Sequence, residues 1–397
     1  MHVRRFPTNF LWGASSAAHQ VEGNNVNSDW WAWEQSHLAE QSGLACDHYH
    51  RYETDFALAQ KLGHNAHRLS IEWSRIVPRE GVVDKKQIAH YRAVLLSLKK
   101  KHMATFVTLH HFTNPLWFAK KGGFARRSNI TYFTEYARVC AEAFGDLVDF
   151  WVTINEPTTY ILKSYLLGAW PPGKRNPLLV ARVYRTLTLA HAAAYRTIKE
   201  HIPTASVGAA HQLVHFYSEG GLVNNLLTAF FSWFANDYFY RHTGDTHDFY
   251  GINYYFSNPV SWRYLFVPIT SDDYEKIIRD HGKPWGWTMN PAGISPCLHQ
   301  LSRYPRRPIY ILEHGISDPS DRRRASYLRR TLAVLHTAIA AGVPVQGYLH
   351  WTLTDNYEWN LGYRSKFGLV AVDPRTKRRT PKPSAYAYRR IIVRNGI

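Results

Sequence analysis

The chain has 397 residues, and its 48 Lys and Arg against 30 Asp and Glu give a formal net charge of +18. Its 24 Gly and 20 Pro are a usual share for a globular protein, which excludes fibrous and low-complexity classes. Every apolar stretch of about 18 residues is interrupted by charges, so a transmembrane helix is excluded as well. Aromatic residues reach 15%, an excess that favours a ligand pocket with flat apolar walls.

Short β-rich runs alternate with longer amphipathic stretches along the chain. The predicted strands are Phe10–Ala14, Ala66–Ile71, Ala104–His110, Phe150–Asn155, Ser206–His211, Phe249–Tyr254, Ile309–Glu313 and Val345–Trp351. The predicted helices include Tyr52–Leu62, Gln87–Lys100, Ile130–Phe144, Val180–His201 and Ala325–Ala341. This alternation is typical of parallel βαβ units, and eight such units close into a barrel. We therefore predict an α/β fold, a single (β/α)8 TIM barrel, with one domain over residues 1–397.

Polar and aromatic side chains follow the carboxyl ends of most predicted strands, where barrel enzymes have their active sites. They are Gln20, Arg68, His110, His111, Asn155, Glu156, Asn253, Tyr255, Glu313, Trp351, Glu358 and Trp359. Such a convergence on one mouth is not expected of a purely structural barrel. These side chains therefore predict a ligand site.

Two of these residues, Glu156 and Glu313, form the carboxyl pair that glycoside hydrolysis needs. One carboxyl must stay protonated to donate to the leaving oxygen, and the other must be ionised to attack the anomeric carbon. Arg68 and Tyr255 would supply positive charge and a hydrogen bond to Glu313. Trp351 offers an apolar platform for a pyranose ring. Hydroxyl contacts would come from Gln20, His111, Asn155 and Glu358.

Several motifs, in order from residue 6 to about 373, resemble those of glycoside hydrolase family 1, the β-glucosidase family. They are Phe6-Pro7 through Phe10-Leu11-Trp12-Gly13, Gln20-Val21-Glu22-Gly23, His67-Arg68-Leu69-Ser70, Thr153-Ile154-Asn155-Glu156-Pro157, Gly251-Ile252-Asn253-Tyr254-Tyr255, Trp285-Gly286-Trp287, Ile311-Leu312-Glu313-His314-Gly315, and His350-Trp351 through Glu358-Trp359 to Phe367-Gly368-Leu369. Any one of these tripeptides would be a weak signal. The ordered set over nearly the whole chain is a strong one.

The resemblance implies retaining hydrolysis of β-glycosides, with Glu156 as acid/base, Glu313 as nucleophile, and no cofactor or metal. It implies a terminal glucosyl group, with galactosyl or fucosyl side activity, on a disaccharide, oligosaccharide, or aryl or alkyl glucoside. The residues implied to hold the non-reducing sugar are Gln20, His111, Asn155, Tyr255, Trp351, Glu358 and Trp359. Those implied to support the nucleophile are Arg68, Asn253 and Tyr255.

The chain also departs from the family pattern. His19, Phe112, His314 and Lys366 stand where the family usually has Tyr, Trp, Asn and Arg. The connection between the fifth and sixth strands is short, because only Arg241–His247 separate a helical run from the next strand. We therefore predict a shortened member with a reduced or irregular segment there, and a wider mouth.

Other functions fit parts of the sequence. A 6-phospho-β-glycosidase would use basic residues such as Arg364 and Lys366, but a carboxylate at Glu358 would repel a phosphate and favours an unphosphorylated sugar. A metal-dependent hydrolase is suggested by His48 and His50, which do not lie at a strand end. A non-catalytic sugar-binding barrel is the remaining alternative.

The positive charge indicates no nucleic-acid function. Its densest clusters, Arg322–Arg324 and Lys377–Arg379, have no interleaved aromatics, so we expect a basic solvated surface with neither nucleic acid nor a membrane as partner. The cysteines are Cys46, Cys140 and Cys297. Their odd number and wide spacing predict free thiols in a reducing compartment. Since Met1–Pro7 also lacks the apolar run of a signal peptide, we expect a cytoplasmic protein.

Overall fold

The computed structural model of the chain describes residues 3–38, 40–264 and 289–397. The Trp285-Gly286-Trp287 motif lies outside these residues. The strands, numbered along the chain, are β1 (Leu11–Ser15), β2 (Ala66–Ser70), β3 (Ala104–His110), β4 (Phe150–Asn155), β5 (Ser206–Gln212), β6 (His215–Ser218), β7 (Phe249–Asn253), β8 (Ser257–Val260), β9 (Ile309–Glu313), β10 (Val345–Trp351), β11 (Val370–Val372) and β12 (Arg379–Pro381).

Eight of these strands form a closed parallel barrel in the order β1, β10, β9, β7, β5, β4, β3, β2. The (β/α)8 prediction is therefore confirmed. Strands β3, β4, β9 and β10 have the predicted bounds, and the other four barrel strands differ by one residue at one or both ends. The remaining strands pair outside the barrel, β6 with β8 and β11 with β12.

Helices surround the barrel and also cap its mouth. The α-helices are Ala18–Val21, Asp29–His37, His48–Lys61, Trp73–Ile76, Lys85–Lys100, Leu116–Lys120, Ile130–Phe144, Pro157–Ile161, Pro177–His201, Leu222–Ser232, Tyr238–Thr243, Ile294–Gln300, Arg324–Ala340 and Pro383–Arg394. Two turns, Leu162–Leu166 and Trp233–Asp237, are π-helical. All five predicted helices are present. Three of them begin two to four residues earlier than predicted, at His48, Lys85 and Pro177.

Aromatic rings fill the amino-terminal half of the barrel interior. The rings of Phe106 and Phe150 stack at 4.2 Å, and Tyr310 lies 5.2 Å from Phe106 and 5.6 Å from Phe249. Large buried rings of this kind leave little room for a ligand, because protein interiors are close-packed. The carboxyl ends of the strands are therefore the end at which a ligand site can form.

The connection from β5 to β7 is irregular, while the barrel wall beside it is complete. Strands β5 and β7 pair without interruption from Gly208 and Phe249 to Gln212 and Asn253. The connecting chain instead forms β6, the helix Leu222–Ser232 and a π-helical turn. The reduced segment thus lies outside the wall, on the mouth side of the barrel.

The structure shows the environment of the three cysteines. The three cysteine thiols are free and buried, and burial raises the pKa of Cys46 to about 12. Within the described ranges, no helix has both the length and the apolar character needed to cross a membrane. The thiols are thus consistent with the expectation that no disulfide forms.

A buried histidine gives the first test. His64 lies beside Tyr388, and neither of its ring nitrogens has a hydrogen-bond partner among the described residues. Burial lowers the pKa of His64 from 6.5 to about 3, so the unfolded chain takes up this proton at a higher pH than the folded chain. Folding stability is therefore lost as the pH falls below 6.5.

The variant His64→Phe removes this source of acid sensitivity. Relative to the unsubstituted chain, its free energy of unfolding should rise by about 1.4 kcal/mol for each pH unit below 6.5. Guanidinium denaturation between pH 7 and pH 5 measures this slope, with His299→Phe at an exposed position as the control. If the free energy of unfolding changes with pH equally in the two variants, His64 is not the source of the acid sensitivity.

Candidate active site

A cavity of about 590 Å³ opens at the carboxyl ends of the barrel strands. Seven of the predicted site residues line it, namely His111, Glu156, Tyr255, Glu313, Trp351, Glu358 and Trp359. This volume lies within the range of ligand pockets in proteins. The strand ends thus bring distant parts of the sequence to one cavity.

Four more of the predicted residues lie directly behind this lining, and each contacts one of its members. Gln20 donates to Glu358, Arg68 to Glu313, and Asn253 to Glu156. The amide nitrogen of Asn155 lies 3.3 Å from Nε2 of His111. Each of the four is fully buried. They therefore position the side chains that face the cavity. His110 lies outside the lining, with Nε2 at 3.3 Å from Oδ1 of Asn114.

Glu313 ends strand β9 and is held by two donors. Nη1 of Arg68 lies 2.5 Å from Oε1, and the Tyr255 hydroxyl donates to Oε2 at 2.6 Å. The guanidinium is itself fixed by Thr108 Oγ1 at 2.9 Å and Asn155 Oδ1 at 2.6 Å. Burial raises the pKa of Glu313 above its usual value, and the positive charge of Arg68 and the hydrogen bond from Tyr255 partly offset this rise. These two groups favour the carboxylate form.

Glu156 follows strand β4 in a left-handed conformation, with φ 42° and ψ 63°. Its backbone nitrogen donates to Ala210 on β5 at 2.7 Å, and Pro157 starts a short helix directly after it. This turn directs the chain out of the sheet at the mouth. Burial, followed by the nearby charge of Glu313, raises the pKa of Glu156 to about 8. At neutral pH the carboxyl is therefore mainly protonated.

Asn253 links Glu156 to the network that surrounds Glu313. Its amide nitrogen donates to Glu156 Oε1 at 2.7 Å and to Asn155 Oδ1 at 3.1 Å. The same Asn155 oxygen accepts from Arg68, which is the ion-pair partner of Glu313. One connected set of hydrogen bonds therefore joins the two carboxyls.

Glu358 provides a third carboxyl. Burial and the charge of Glu313 raise its pKa to about 8. Nε2 of Gln20 donates to Oε2 of Glu358 at 3.2 Å and to the carbonyl of Tyr357 at 3.0 Å. Oε1 of Gln20 is buried and has no hydrogen-bond partner among the described residues, so it can accept from a ligand hydroxyl.

Aromatic rings form another wall of the cavity. The ring of His111 is nearly parallel to Trp351 at 5.9 Å and to Trp359 at 6.1 Å. Phe112 packs against Trp359 at 5.3 Å and against Trp170 at 4.9 Å. Trp170 was not predicted from sequence, because it lies in a loop that has no periodic pattern. Its ring restores part of the aromatic surface lost at Phe112.

Two other departures from the family pattern lie outside the cavity lining. His314 is buried behind β9, with Nδ1 at 2.6 Å from the Tyr348 hydroxyl and Nε2 at 3.1 Å from Thr331 Oγ1. His19 stacks on Trp359 at 5.7 Å with an interplanar angle of 6°. His19 thus contacts a residue of the cavity lining, whereas Tyr348 and Thr331, the partners of His314, lie outside the lining.

The residues that suggested the alternative functions are not part of the cavity lining. His48 contacts Asp55 at 2.7 Å, and His50 contacts Asp47 at 2.7 Å on the helix surface. Among the described residues, no three His, Cys, Asp or Glu side chains are grouped to hold a metal ion. Arg364 is exposed and lines a separate hollow.

The ion pair of Arg68 and Glu313 gives the second test. Replacing Arg68 with Met leaves a buried carboxyl without its cation, and this should lower the free energy of unfolding at pH 7 by about 3 kcal/mol. The double variant Arg68→Met/Glu313→Gln removes both charges and should recover part of the loss. Thermal or guanidinium unfolding measures both values. If Arg68→Met is as stable as the unsubstituted chain, the ion pair of Arg68 and Glu313 does not stabilise the fold and the prediction is wrong.

Comparisons with known proteins agree with this geometry. The model for glycosyl hydrolase family 1 matches residues 2–241 and 236–397. Beta-glucosidase A of Thermotoga maritima is 32% identical over all of both chains, and a 6-phospho-beta-galactosidase of Streptococcus equi subsp. zooepidemicus is 30% identical over 100% of this chain and 99% of its own. The solved beta-glycosidase from Pyrococcus horikoshii superposes with a TM-score of 0.90 at 33% identity, covering 100% of this chain and 96% of its own.

The alignment with the Thermotoga maritima protein also bears on length. It extends over 448 positions, whereas this chain has 397 residues, so the prediction of a shortened member is confirmed. The match covers both halves of the barrel, including the positions of Glu156 and Glu313. The chain therefore belongs to glycosyl hydrolase family 1 and is a glycoside hydrolase.

Proposed function

We propose that the chain is a retaining exo-β-glycosidase that hydrolyses terminal non-reducing β-D-glucosyl residues, with galactosyl or fucosyl side activity. The observation that carries this proposal is the difference between two buried carboxyls in one cavity. Glu313 is paired with a cation and a hydroxyl donor, while Glu156 has a pKa of about 8. Such a pair can attack and protonate at the same time.

In the first step, a carboxylate oxygen of Glu313 attacks the anomeric carbon of the sugar. The bond from this carbon to the glycosidic oxygen breaks, and its electron pair stays on the oxygen. The proton of Glu156 passes to the same oxygen, so the aglycone leaves as an alcohol. The products are a glycosyl ester on Glu313 and a carboxylate at Glu156.

In the second step, the carboxylate of Glu156 takes a proton from a water molecule whose oxygen attacks the anomeric carbon. The ester bond breaks, its electron pair returns to Glu313, and Glu156 is protonated again. Two displacements at one carbon restore the original configuration. The match to glycosyl hydrolase family 1 supports this route. Retaining enzymes hold their two carboxyls about 5–5.5 Å apart, whereas inverting enzymes hold them about 6.5–9.5 Å apart to admit a water.

The sugar itself would be bound by the remaining lining and the residues behind it. Trp351 and Trp359 supply apolar surface, while Gln20, His111 and Glu358 supply hydrogen-bonding groups. A buried carboxyl at Glu358 can share hydrogen bonds with neutral sugar hydroxyls. It disfavours the phosphate of a 6-phospho sugar, which would add a further negative charge beside Glu313. This observation favours an unphosphorylated substrate.

We further infer a cytoplasmic location and a single functional domain. The two inferences rest on different features. Free thiols that are all buried suit a reducing compartment, and the barrel strands draw on the chain from residue 11 to residue 351.

The roles of the two carboxyls can be separated with different leaving groups. Glu313→Gln should lose at least about a thousandfold in kcat on every β-glucoside, because no nucleophile remains. Glu156→Gln should lose as much in kcat/KM on alkyl glucosides but far less in kcat/KM on aryl glucosides, because kcat/KM reports the first step and a phenolate leaves without a proton. NMR of the first product formed by the unsubstituted enzyme should show the β-anomer. An initial α-anomer would contradict retention, and full activity in either variant would contradict the assigned roles.

The Tyr255 hydroxyl gives a further test through the pH profile. Its hydrogen bond lowers the pKa of Glu313, so Tyr255→Phe should raise that pKa and move the acidic limb of kcat/KM to higher pH. The alkaline limb, set near pH 8 by Glu156, should stay in place. Tyr254→Phe removes a buried hydroxyl that donates to Asn290 instead, and serves as the matched control. If the acidic limb moves equally in both variants, the Tyr255 hydroxyl does not set the pKa of Glu313 and the prediction is wrong.

A further inference from the structure

The cavity extends well beyond the two carboxyls, on the side where Glu156 would protonate the leaving group. This half is lined mainly by apolar side chains of the segments 157–167, 177–181, 213–216, 230–235 and 256–261. Six of them are Leu162, Leu166, Val180, Phe216, Phe231 and Phe234. The three carboxyls of the lining, Glu156, Glu313 and Glu358, all lie outside these segments, so the two halves differ in chemistry.

The phenylalanine wall comes from the irregular connection between β5 and β7. The stretch from Leu222 to Asn236 contains no charged residue. The rings of Phe216 and Phe231 lie 6.0 Å apart and nearly parallel, and the ring of Phe234 packs on Tyr184 at 5.5 Å. The segment that is short in sequence thus supplies an aromatic surface beside the carboxyls.

The apolar surface continues from the cavity to the outside of the protein. Leu166 and Phe230 line the cavity and are 37% and 52% exposed, and Leu226 on the same helix as Phe230 is 63% exposed. Contiguous exposed apolar surface beside a pocket is characteristic of a ligand-binding groove. A ligand longer than the cavity would therefore remain in contact with apolar side chains as it leaves the mouth.

The polar side chains on this side are Thr158, Thr159, Lys163, Gln212, Asn258 and Ser261. Thr158 shares a hydrogen bond of 2.8 Å with the Tyr184 hydroxyl. Thr159 donates to Gln212 at 2.8 Å, so these two side chains bond to each other. Burial lowers the pKa of Lys163 to about 7, which reduces its charge at neutral pH. A second sugar placed here would lose water from several hydroxyls against phenyl rings, and unmade hydrogen bonds are costly. An aliphatic chain would lose no hydrogen bonds.

We infer that this half of the cavity binds an extended aliphatic aglycone, so that the substrates are β-glycosides of long-chain or isoprenoid alcohols rather than β-linked disaccharides. The inference rests on the proposed function, since Glu156 must protonate the oxygen that joins the sugar to this chain. The sugar half would hold the glycosyl group, and the phenylalanine wall would bury the methylene groups that follow the oxygen.

A series of methyl, butyl, hexyl and octyl β-D-glucosides, each below its micelle concentration, tests the inference. Each added methylene that is buried should raise kcat/KM about two- to fourfold, mostly through a lower KM. Octyl glucoside should also exceed cellobiose in kcat/KM. Values that stay flat or fall with chain length, or a preference for cellobiose, would overturn the inference and leave the proposed function standing. Failure to hydrolyse any glucoside would instead overturn the proposed function.

Variants of the wall provide the second arm. Phe231→Asp places a charge among the apolar side chains, and should lower the octyl-to-methyl ratio of kcat/KM at least tenfold. Phe231→Ser removes the ring without adding a charge, and keeps the test valid if the first variant does not fold. The matched control is Val393→Asp, an exposed apolar position on the helix Pro383–Arg394, which should leave the ratio unchanged. A ratio that is unchanged in both Phe231 variants would overturn the inference.

Discussion

The contact on which the site depends is the buried ion pair of Arg68 and Glu313. The guanidinium leaves β2 and reaches Thr108 on β3, Asn155 on β4 and Glu313 on β9, so it links four strands across the interior of the mouth. A buried cation is tolerated only where hydrogen bonds replace its lost water. Arg68 meets that requirement through these three partners, and in doing so it fixes the carboxyl that we assign as nucleophile. Asn155 and Asn253 extend the same network to Glu156.

The network favours different protonation states for the two carboxyls although both are buried, because Glu313 has a cation as a direct partner and Glu156 has a neutral amide. Desolvation raises the pKa of each, but Arg68 and Tyr255 counter it at Glu313. At Glu156 the main hydrogen-bond donor is the neutral amide of Asn253, and the charge of Glu313 raises the pKa further. The ionisation of one carboxyl therefore favours the protonation of the other. A single arrangement of side chains thus prepares both groups for the first step of hydrolysis.

The barrel and most of the site could be predicted from the sequence because both depend on regular patterns. Strand ends such as Asn155-Glu156 and Glu313 stand at fixed places in a βα repeat, so their convergence follows from the fold. Features that depend on the packing of irregular segments could not be predicted. The phenylalanine wall depends on how the β5–β7 connection folds over the mouth, and Trp170 reaches the site from a loop with no periodic pattern. The short pair of β6 and β8 was missed for the same reason.

The central claim is that Glu156 holds a proton at neutral pH while Glu313 is a carboxylate. Carbon-13 NMR of protein labelled at the glutamate side-chain carboxyl carbons measures this directly, with Glu156→Gln and Glu313→Gln identifying the two signals. We expect the Glu156 signal to titrate near pH 8 and the Glu313 signal to be that of a carboxylate already at pH 7. A Glu156 signal that is fully ionised at pH 7, or a protonated Glu313, would contradict the account.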